Sequence, residues 1–378
     1  MSRIEELHDR ARAALDPVHY DYYAGGSGAE TALADNARAF AELALLPRVL
    51  RGNDRRDTAV ALLGDRASLP VVVSPTAFHR LAHPEGERAT ARAAAHAGTV
   101  LVTSMAATVA VAEVTAAART VRADAAVWFQ VSFHPDDDVT TALVRRAEKA
   151  GCTALVVTVD TAVFGRRTRD ERNGFHDLPP DLAPENLRDL PGAPPGGTLR
   201  IAMSPEFTWR HLRRLRDLTS LPVVLKGVLH PLDARTAVDE GVDAIWVSNH
   251  GGRQLDAAPG ALRALPRVAA AVVGRVPVLL DGGVRSGADV AAALALGATA
   301  VGVGRPVLWG LAADGEAGVR EVLELLRSEF DHVLTLCGGR RPGDLTADMV
   351  VRREWPPVPA AEAPVGQDGR AGPSGQPR

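Results

Sequence analysis

The 378-residue sequence is poor in several features that each mark a class of protein. No apolar run approaches the roughly 20 residues of a membrane-spanning helix, and the polar residues 1–6 lack the apolar centre of a signal peptide. A net charge of −3 predicts no binding of nucleic acid or of an anionic membrane. The two cysteines, Cys152 and Cys337, have no metal-ligand spacing, so we expect no metal and reduced thiols in a cytoplasmic protein.

Lysine is scarce as well, because only Lys149 and Lys226 occur among the 43 basic residues. Lys149 lies in an Arg- and Glu-rich stretch that is typical of a solvated helix face. Lys226 follows the apolar run 222–225 and precedes Gly227, at the expected end of a buried strand. Since a buried lysine is rare unless it is paired, we interpret Lys226 as part of a site.

What the sequence does contain is a repeated alternation of short apolar runs and helical patterns. The runs occupy residues 70–73, 99–102, 126–129, 154–157, 222–225, 244–247, 277–280 and 300–303. Stretches between them with helical apolar spacing include 86–97, 138–150, 232–240 and 287–296. Eight β/α units predict an α/β fold, a (β/α)8 TIM barrel. A doubly wound open sheet is the second candidate, although no Gly-x-Gly-x-x-Gly turn follows an early strand.

The segments outside these units are interpreted from composition. Residues 1–50 are predicted to form an N-terminal helical extension, with a loop at 20–28. The Pro/Gly-rich segment 173–208 is expected to form an insertion between strands four and five. Residues 356–378 show no periodicity and predict a disordered tail after a single domain over residues 1–355.

The carboxyl end of every predicted strand is polar or small, and TIM-barrel enzymes build their sites at these ends. The last two ends open Gly-rich turns with Arg285 and Arg305 close by. Barrels commonly hold a phosphate group at this place. The sequence therefore predicts a phosphate-bearing cofactor, with Lys226 near it.

The stretch Ser-Asn-His-Gly-Gly-Arg-Gln-Leu-Asp, residues 248–256, carries the richest chemistry. His250 can take a proton near neutral pH. Arg253 can clamp a carboxylate with two parallel hydrogen bonds, and the glycines between them let backbone approach a ligand closely. By itself a His-x-x-Arg pair is more typical of an ordinary surface loop, so its interpretation depends on the other motifs.

Eight motifs together resemble the FMN-dependent α-hydroxy acid oxidase and dehydrogenase family, which includes glycolate oxidase, lactate oxidase, mandelate dehydrogenase and hydroxymandelate oxidase. They are Tyr-Asp-Tyr-Tyr at 20–23, His-Pro-Glu-Gly-Glu at 83–87, Thr-Val-Asp-Thr at 158–161, Gly-Arg-Arg at 165–167, Leu-Lys-Gly at 225–227, the stretch 248–256, Asp-Gly-Gly-Val-Arg-Ser-Gly at 281–287 and Gly-Arg-Pro at 304–306. The resemblance implies FMN as cofactor and the oxidation of an (S)-2-hydroxy acid to the 2-oxo acid. It also implies a homo-oligomer, a tetramer or octamer. The sequence shows no haem-binding domain and no membrane-inserting segment within residues 173–208, which favours O2 as the acceptor.

The resemblance assigns roles by position. His250 resembles the active-site base, and Asp160 resembles the carboxylate paired with it. Arg253 and Arg167 resemble the pair that holds the substrate carboxylate, with Tyr22 assisting them. The positions that match FMN contacts are Thr76, Ala77, Thr103, Gln130, Thr158, Lys226, Ser248, Asp281, Gly283, Arg285, Gly304 and Arg305. The positions that match substrate contacts are Tyr22, Met105, Ser132, Arg167, His250 and Arg253.

Two positions depart from the family pattern. Ser132 stands where many relatives have a second tyrosine, and Met105 stands where plant glycolate oxidases have a tryptophan. Both changes predict a wider pocket, and methionine adapts well to a broad apolar surface. We therefore expect an aryl or long-chain substrate, with mandelate or 4-hydroxymandelate as the leading candidates. The segment 173–208 corresponds to a mobile lid in the family, and it is short here.

Three alternatives remain at this point. The first is a dehydrogenase of lactate type that uses a non-oxygen acceptor. The second is a different FMN barrel enzyme, similar to type 2 isopentenyl diphosphate isomerase, although the Arg167 and Arg253 pair suits a monocarboxylate better than a diphosphate. The third is a low-activity relative, which the replacement at Ser132 alone would favour.

Overall fold

The N-terminal part of the chain is helical, as the sequence predicted. The computed structural model describes residues 3–52 and 54–353, and it begins with α1 (Arg3–Ala14), α2 (Pro17–Ala24) and α3 (Thr31–Ala41). The predicted loop at 20–28 is wrong for residues 20–24, which lie in α2. Asp16 caps this helix by accepting a hydrogen bond from the Val18 N–H at 2.8 Å, and Pro17 occupies its first turn. The cap and the proline favour a helix here, although the spacing of apolar residues does not predict one.

Short antiparallel strands follow, and two of them close the bottom of the barrel. The strands are β1 (Leu43–Leu45), β2 (Val60–Leu62) and β3 (Asp65–Ala67), of which β2 and β3 form a hairpin. Asp65 in this hairpin accepts hydrogen bonds from Trp128 Nε1 at 2.8 Å and Thr153 Oγ1 at 2.7 Å. The fully buried Leu62 packs against the barrel interior. The hairpin therefore covers the amino ends of the strands.

The predicted (β/α)8 barrel is confirmed. Its eight parallel strands form one closed sheet, in the order in which they occur along the chain. They are β4 (Val71–Val73), β5 (Leu101–Ser104), β6 (Val127–Val131), β7 (Ala154–Thr158), β8 (Val223–Val228), β9 (Ala244–Val247), β10 (Val278–Asp281) and β11 (Ala300–Val303). Each strand overlaps one predicted apolar run, because strands buried on both faces are apolar without interruption.

Helices follow the barrel strands, and apart from the one at Thr168–Asn173, which lies in the connection after β7, they cover the outside of the barrel. They are α4 (Gly86–His96), α5 (Val111–Val121), α6 (Asp137–Ala150), α7 (Thr168–Asn173), α8 (Trp209–Leu218), α9 (Pro231–Asp239), α10 (Ala261–Val272), α11 (Gly287–Ala295) and α12 (Arg305–Leu336), which is kinked at Asp314 and Gly315. The final strand, β12 (Val350–Arg352), pairs with β1. None of the described helices is long and apolar enough to cross a membrane.

The long connection from β7 to β8 is the predicted insertion between the fourth and fifth barrel strands. It contains α7 and a 3-10 turn at Glu185–Leu187. The fully buried Asn186 anchors it to the barrel, accepting from the Val111 N–H at 2.7 Å and donating to the Ser104 carbonyl at 3.2 Å. The predicted disordered tail at 356–378 lies outside the described residues.

Candidate active site

A cavity of about 890 Å³ opens at the carboxyl end of the barrel, within the range of cofactor and ligand sites. The residues predicted for the site that line it are Tyr22, Thr76, Ala77, Met105, Gln130, Ser132, Thr158, Arg167, Lys226, His250, Arg253, Asp281, Gly283, Arg285, Gly304 and Arg305. Thr103, Asp160 and Ser248 do not line the cavity. Asp160 contacts the lining residue His250, and Ser248 contacts both His250 and Lys226. The structure thus brings nearly all predicted residues to one place.

His250 follows β9 and is held in a fixed orientation. Its backbone has a φ of 58°, a left-handed conformation that is uncommon outside glycine, and its N–H donates to Ser248 Oγ at 3.0 Å. The His250 Nδ1 lies 3.0 Å from Asp160 Oδ1. Because a carboxylate only accepts hydrogen bonds, Nδ1 carries the proton and Nε2 is the nitrogen left to accept one.

Asp160 remains ionised although it is deeply enclosed. Burial alone would raise the pKa of Asp160, but the charge and hydrogen bond of His250, helped by Lys226, outweigh burial and lower it. Thr161 Oγ1 also donates to Asp160 Oδ1 at 2.9 Å. A fixed negative charge beside Nδ1 stabilises the imidazolium that forms when Nε2 takes a proton.

Two guanidinium groups lie close to the Tyr22 ring. The Arg253 Cζ lies 4.9 Å and the Arg167 Cζ lies 5.8 Å from the ring centroid. Arg253 Nη1 donates to the carbonyls of Tyr22 at 2.6 Å and Gly25 at 2.8 Å. Burial, and then the charge of Arg167, lower the pKa of Arg253 to about 10. Two cations so close together, one with a buried Nε that lacks a partner among the described residues, make a receptor for an anion.

Asp170 is a member of this group that the sequence did not reveal. It lies in α7, lines the cavity, and its Oδ2 is 3.8 Å from Arg167 Nη1. Burial raises the pKa of Asp170, and the charges of Arg253 and Arg167 offset only part of that effect. Its spacing of three residues from Arg167 on a helix is a signal that could have found it.

Lys226 is nine-tenths buried and fully engaged. Its Nζ donates to Ser248 Oγ at 3.0 Å, lies 3.2 Å from Asp281 Oδ2, and stands 5.7 Å from the Trp246 ring centroid. Ser248 therefore links Lys226 to the backbone of His250. This arrangement keeps one positive charge in the cavity wall beside the histidine.

Gln130 organises the opposite part of the wall. Its Oε1 accepts from Ser104 Oγ at 2.9 Å, while its Nε2 donates to Ser132 Oγ at 3.2 Å and Thr158 Oγ1 at 3.1 Å. The Ser132 N–H in turn contacts the Met105 sulfur at 3.3 Å. The two positions that depart from the family pattern are thus in direct contact in the cavity wall.

Arg285 and Arg305 gather at the far end of the cavity, as predicted. Arg305 donates to the carbonyls of Tyr23 at 2.9 Å, Gly251 at 3.0 Å and Gly25 at 2.8 Å. Burial, and then the charges of Arg253 and Arg285, lower the pKa of Arg305. Burial likewise lowers the pKa of Arg285. An anion at this end would relieve the mutual repulsion of these cations, which suits a phosphate group.

Besides Arg167, two cavity-lining residues carry a polar atom that has no hydrogen-bond partner among the described residues. These atoms, Ser74 Oγ and Asp281 Oδ1, are buried. Buried polar groups are rarely left unpaired. A ligand that offers hydrogen-bond donors along its length and an anionic end would satisfy both the orphan atoms and the arginines. The residues present therefore fit FMN.

The stretch 248–256 also attaches helix α3 to the barrel, a structural function that the sequence did not predict. Asn249 exchanges two hydrogen bonds with Asn36 of α3, at 2.9 and 3.0 Å. Asp256 caps α3 by accepting from the Ala32 N–H at 3.0 Å and also accepts from the Ala29 N–H at 2.9 Å.

The expectation that the glycines of this stretch admit a ligand is incorrect for Gly252. Its φ is 77°, and a Cβ on it would lie 2.5 Å from the Leu33 backbone nitrogen. The missing side chain lets α3 approach the barrel. Gly251 lines the cavity, yet the nearest atom to a Cβ on it would be Arg305 Nη1 at 2.9 Å.

Most lining residues that sequence reasoning missed are apolar. Eight of them come from the turn after β4 and from the β7–β8 insertion: Phe78, Phe164, Phe175, Leu178, Leu182, Leu199, Ile201 and Met203. Their positions depend on how the insertion folds over the barrel, and no motif marks them. They add apolar surface to a cavity that is also lined by charged and polar groups.

Comparison with known proteins places the chain in a family. The model of the family described as FMN-dependent dehydrogenase matches residues 11–352. The chain is 44% identical to 2-hydroxyacid oxidase 1 of Homo sapiens over 348 residues, which cover 89% of this chain and 92% of that protein. It is 42% identical to glycolate oxidase of Spinacia oleracea over 363 residues, which cover 94% of this chain and 96% of that protein.

A solved structure is also similar. A crystal structure of mandelate oxidase superposes with a TM-score of 0.83 at 44% identity, covering 90% of this chain and 96% of that one. Fold, cavity and sequence thus agree over most of the chain. The protein belongs to the FMN-dependent dehydrogenase family.

Proposed function

We propose that the protein oxidises an (S)-2-hydroxy acid to the corresponding 2-oxo acid, with FMN as electron acceptor. The observation that carries the proposal is that the proton-accepting His250 and the guanidiniums of Arg253 and Arg167 open into one cavity. A 2-hydroxy acid carries a carboxylate beside a hydroxyl-bearing carbon, which is the pair of groups that such residues recognise. The printed names of the relatives, hydroxyacid oxidase and glycolate oxidase, support the same chemistry.

The residues divide the work in this proposal. Arg253 and Arg167 hold the substrate carboxylate, so that the hydroxyl faces His250. His250 Nε2 takes the hydroxyl proton, and Asp160 stabilises the resulting positive charge. FMN, when bound, would supply the acceptor for the hydrogen of the α-carbon together with its two electrons, as a hydride or its equivalent. Lys226 places a positive charge where negative charge would collect on the cofactor.

Other parts of the wall would hold the cofactor itself. Arg285 and Arg305 suit its phosphate, with Gly283 and Gly304 beside them. The unpaired atoms of Ser74 and Asp281 are available for its polar groups. The further positions carried over by resemblance are Thr76, Ala77, Thr103, Gln130, Thr158 and Ser248.

We further propose that the preferred substrate has an aryl or long-chain group. Met105 and Ser132 meet in the cavity wall, and Ser132 leaves free the volume that a tyrosine would fill. The insertion adds apolar surface with Phe164 and Phe175. Burial of an apolar group there contributes about 25 cal/mol per Å², so a bulky acid gains affinity that a small one lacks. A similar structure bears the name mandelate oxidase.

Anaerobic flavin reduction tests this proposal. Purified protein loaded with FMN is mixed with glycolate, lactate, 2-hydroxyoctanoate or mandelate, and flavin absorbance is followed over time. We expect bleaching, fastest with mandelate. His250→Ala should keep its flavin but lose about 10²–10⁴-fold in rate, as for loss of a general base. His332→Ala, an exposed histidine on α12, serves as the matched control. Bleaching of His250→Ala at the wild-type rate contradicts the role of His250, and glycolate as the fastest substrate contradicts the pocket argument.

The same reduced samples decide between acceptors. We propose O2 as the acceptor, with hydrogen peroxide as product, and admitting air should restore the absorbance within seconds. Reoxidation over many minutes would favour the dehydrogenase alternative. No bleaching with any 2-hydroxy acid would favour the isomerase-like or low-activity alternatives.

Three further proposals concern the molecule as a whole. They are a homotetramer, a cytoplasmic location and one domain over residues 1–355. The resemblance supports the first, and the sequence composition supports the other two. Sedimentation of the purified protein measures the first directly.

A further inference from the structure

His79 is a buried histidine beside the cavity that the proposed reaction does not use. It begins the 3-10 turn His79–Leu81, is 2% exposed, and is not a lining residue. Its Nε2 lies 2.6 Å from Thr76 Oγ1, and its Nδ1 lies 3.0 Å from Thr90 Oγ1 in α4. Because Thr76 lines the cavity, the imidazole connects the cavity wall to the helix behind it.

The surroundings hold this imidazole in one place. The backbone N–H of His79 donates to Glu87 Oε1 at 3.0 Å. Glu87 also accepts from the backbone N–H of Thr108 at 2.9 Å and from its hydroxyl at 2.8 Å. Glu87, Thr90 and Thr108 are all buried. These contacts fix the backbone of His79, and rotation of the ring would break its two hydrogen bonds to Thr76 and Thr90, each of which is costly to leave unmade.

The protonation of the ring sets the direction of its two hydrogen bonds. Burial lowers the pKa of His79, while the charge of Glu87 and a hydrogen bond to the Thr76 backbone oppose only part of that effect, so the imidazole is neutral at pH 7. A neutral imidazole has one N–H donor and one acceptor nitrogen. Thus one threonine hydroxyl accepts from the ring and the other donates to it.

The difference between the two distances favours one tautomer of the ring. Hydrogen bonds from N–H to oxygen are typically about 2.9–3.0 Å, and those from hydroxyl donors are shorter, about 2.7–2.8 Å. The 3.0 Å contact fits Nδ1–H donating to Thr90, and the 2.6 Å contact fits the Thr76 hydroxyl donating to Nε2. Thr76 then has only its lone pairs left for the cavity.

We propose that His79 is a positioning residue that fixes the Thr76 hydroxyl as a hydrogen-bond acceptor toward the cofactor. The proposal rests on the FMN site described above. Flavin rings carry N–H donors, and they carry more of them when reduced. An acceptor held in the wall therefore strengthens FMN binding and favours the reduced form, which raises the reduction potential.

A double-mutant cycle on the apoprotein tests the proposal. The dissociation constant of FMN is measured by flavin fluorescence, and the reduction potential by dye equilibration, for wild type, His79→Gln, Thr76→Val and the double variant. A glutamine amide cannot reach both threonines as the imidazole does. We expect each single change to weaken FMN binding about 3- to 10-fold, as for one lost hydrogen bond, and to lower the potential.

The coupling between the two changes is the decisive readout. Because His79 acts through Thr76, the double variant should bind FMN within about twofold of Thr76→Val alone. Thr115→Val is the matched control: Thr115 is a buried threonine of α5, away from the cavity, whose hydroxyl donates to the Ala112 carbonyl at 3.0 Å. This control should bind FMN as the wild type does.

Additive losses, or an unchanged His79→Gln, would overturn the inference while leaving the FMN site intact. A wild-type apoprotein that fails to bind FMN would overturn both. If His79→Gln does not fold, the nitrogen chemical shifts of His79 in the wild type decide, since a proton on Nε2 overturns the assignment. Thr90→Val gives a second measure, because loss of the Nδ1 acceptor should favour the other tautomer and lower the potential.

Discussion

Ser132 lies in the cavity wall, where a larger side chain would reduce the cavity volume. It is buried, its hydroxyl accepts from Gln130, and its N–H contacts the Met105 sulfur. The serine therefore contributes little bulk to the cavity while remaining tied into the wall. A larger group at this point would project over the space that we assign to the substrate side chain.

Ser132→Tyr should shift the preference toward small acids. A tyrosine removes volume beside Met105, so the ratio of flavin reduction rates for mandelate and glycolate should fall at least about 10-fold, the scale set by steric fit in a pocket. The measurement is anaerobic stopped-flow absorbance with both acids. Ser132→Ala, which keeps the small size without the hydroxyl, should retain the wild-type ratio. An unchanged ratio in the tyrosine variant would mean that Ser132 does not shape the pocket.

Residues with distinctive chemistry were predictable from the sequence, and residues defined by a partner were not. His250, Arg253 and Lys226 stand out through their type and their place at strand ends. Asp170 and Asn249 carry roles that depend on what lies opposite, and Asn36, the partner of Asn249, is 213 positions away. No local pattern reports such a pairing.

At the scale of elements, α3 is fastened to the barrel by a set of polar contacts. Asp35 accepts from the Gly260 N–H at 2.8 Å, from Arg263 Nε at 2.9 Å and from Arg263 Nη2 at 3.0 Å. The hydrogen bonds from Arg263 are the main reason that the pKa of Asp35 lies well below its ordinary value. Because α10 begins at Ala261, this carboxylate joins the two helices.

Asp35→Asn should reduce stability in a pH-dependent manner. The folded pKa of Asp35 is lowered, so its contribution is present above the unfolded value of about 3.9 and is lost as the pH falls toward the folded value. At pH 7 we expect about 1.5–3 kcal/mol less free energy of unfolding, the scale of hydrogen bonds to a charged group. Urea unfolding from pH 7 down to 3 measures the difference from wild type, which should shrink below about pH 4.

Asp54→Asn, at an exposed aspartate, is the control and should show no such difference. An Asp35→Asn deficit that stays constant with pH would show that packing, and not the carboxylate charge, holds α3.

Elements were predictable where burial imposes a pattern. The barrel strands are apolar because both faces are buried, and the sequence showed all eight. Helix α2 was not predicted, because it is only 8 residues long and depends on the Asp16 cap and on Pro17. The insertion after β7 has little regular structure, and its fold follows from contacts such as those of Asn186.

At the scale of the whole molecule, three regions converge on one cavity. The N-terminal helices supply Tyr22, the strand ends supply Lys226 and Asp281, and the insertion supplies Arg167 and apolar surface. A ligand that fills the cavity would therefore contact all three. Binding to the folded state alone stabilises that state by mass action.

FMN should raise the free energy of unfolding of the apoprotein by about 2.7 kcal/mol at a concentration 100-fold above its dissociation constant. Riboflavin, which lacks the phosphate, should stabilise less at equal concentration because Arg285 and Arg305 gain no anion. Urea titrations with each ligand compare the two. Equal stabilisation by both would show that the arginine end of the cavity does not hold the phosphate.

The carbonyl oxygen of Gly25 accepts from both Arg253 and Arg305. One arginine faces the group that we assign to the substrate, and the other faces the group that we assign to the cofactor. One carbonyl oxygen of the N-terminal segment therefore anchors an arginine of the proposed substrate position and an arginine of the proposed cofactor position. Binding at one position that orders this shared acceptor would make binding at the other position more favourable, and such coupling would change both affinities by the same factor.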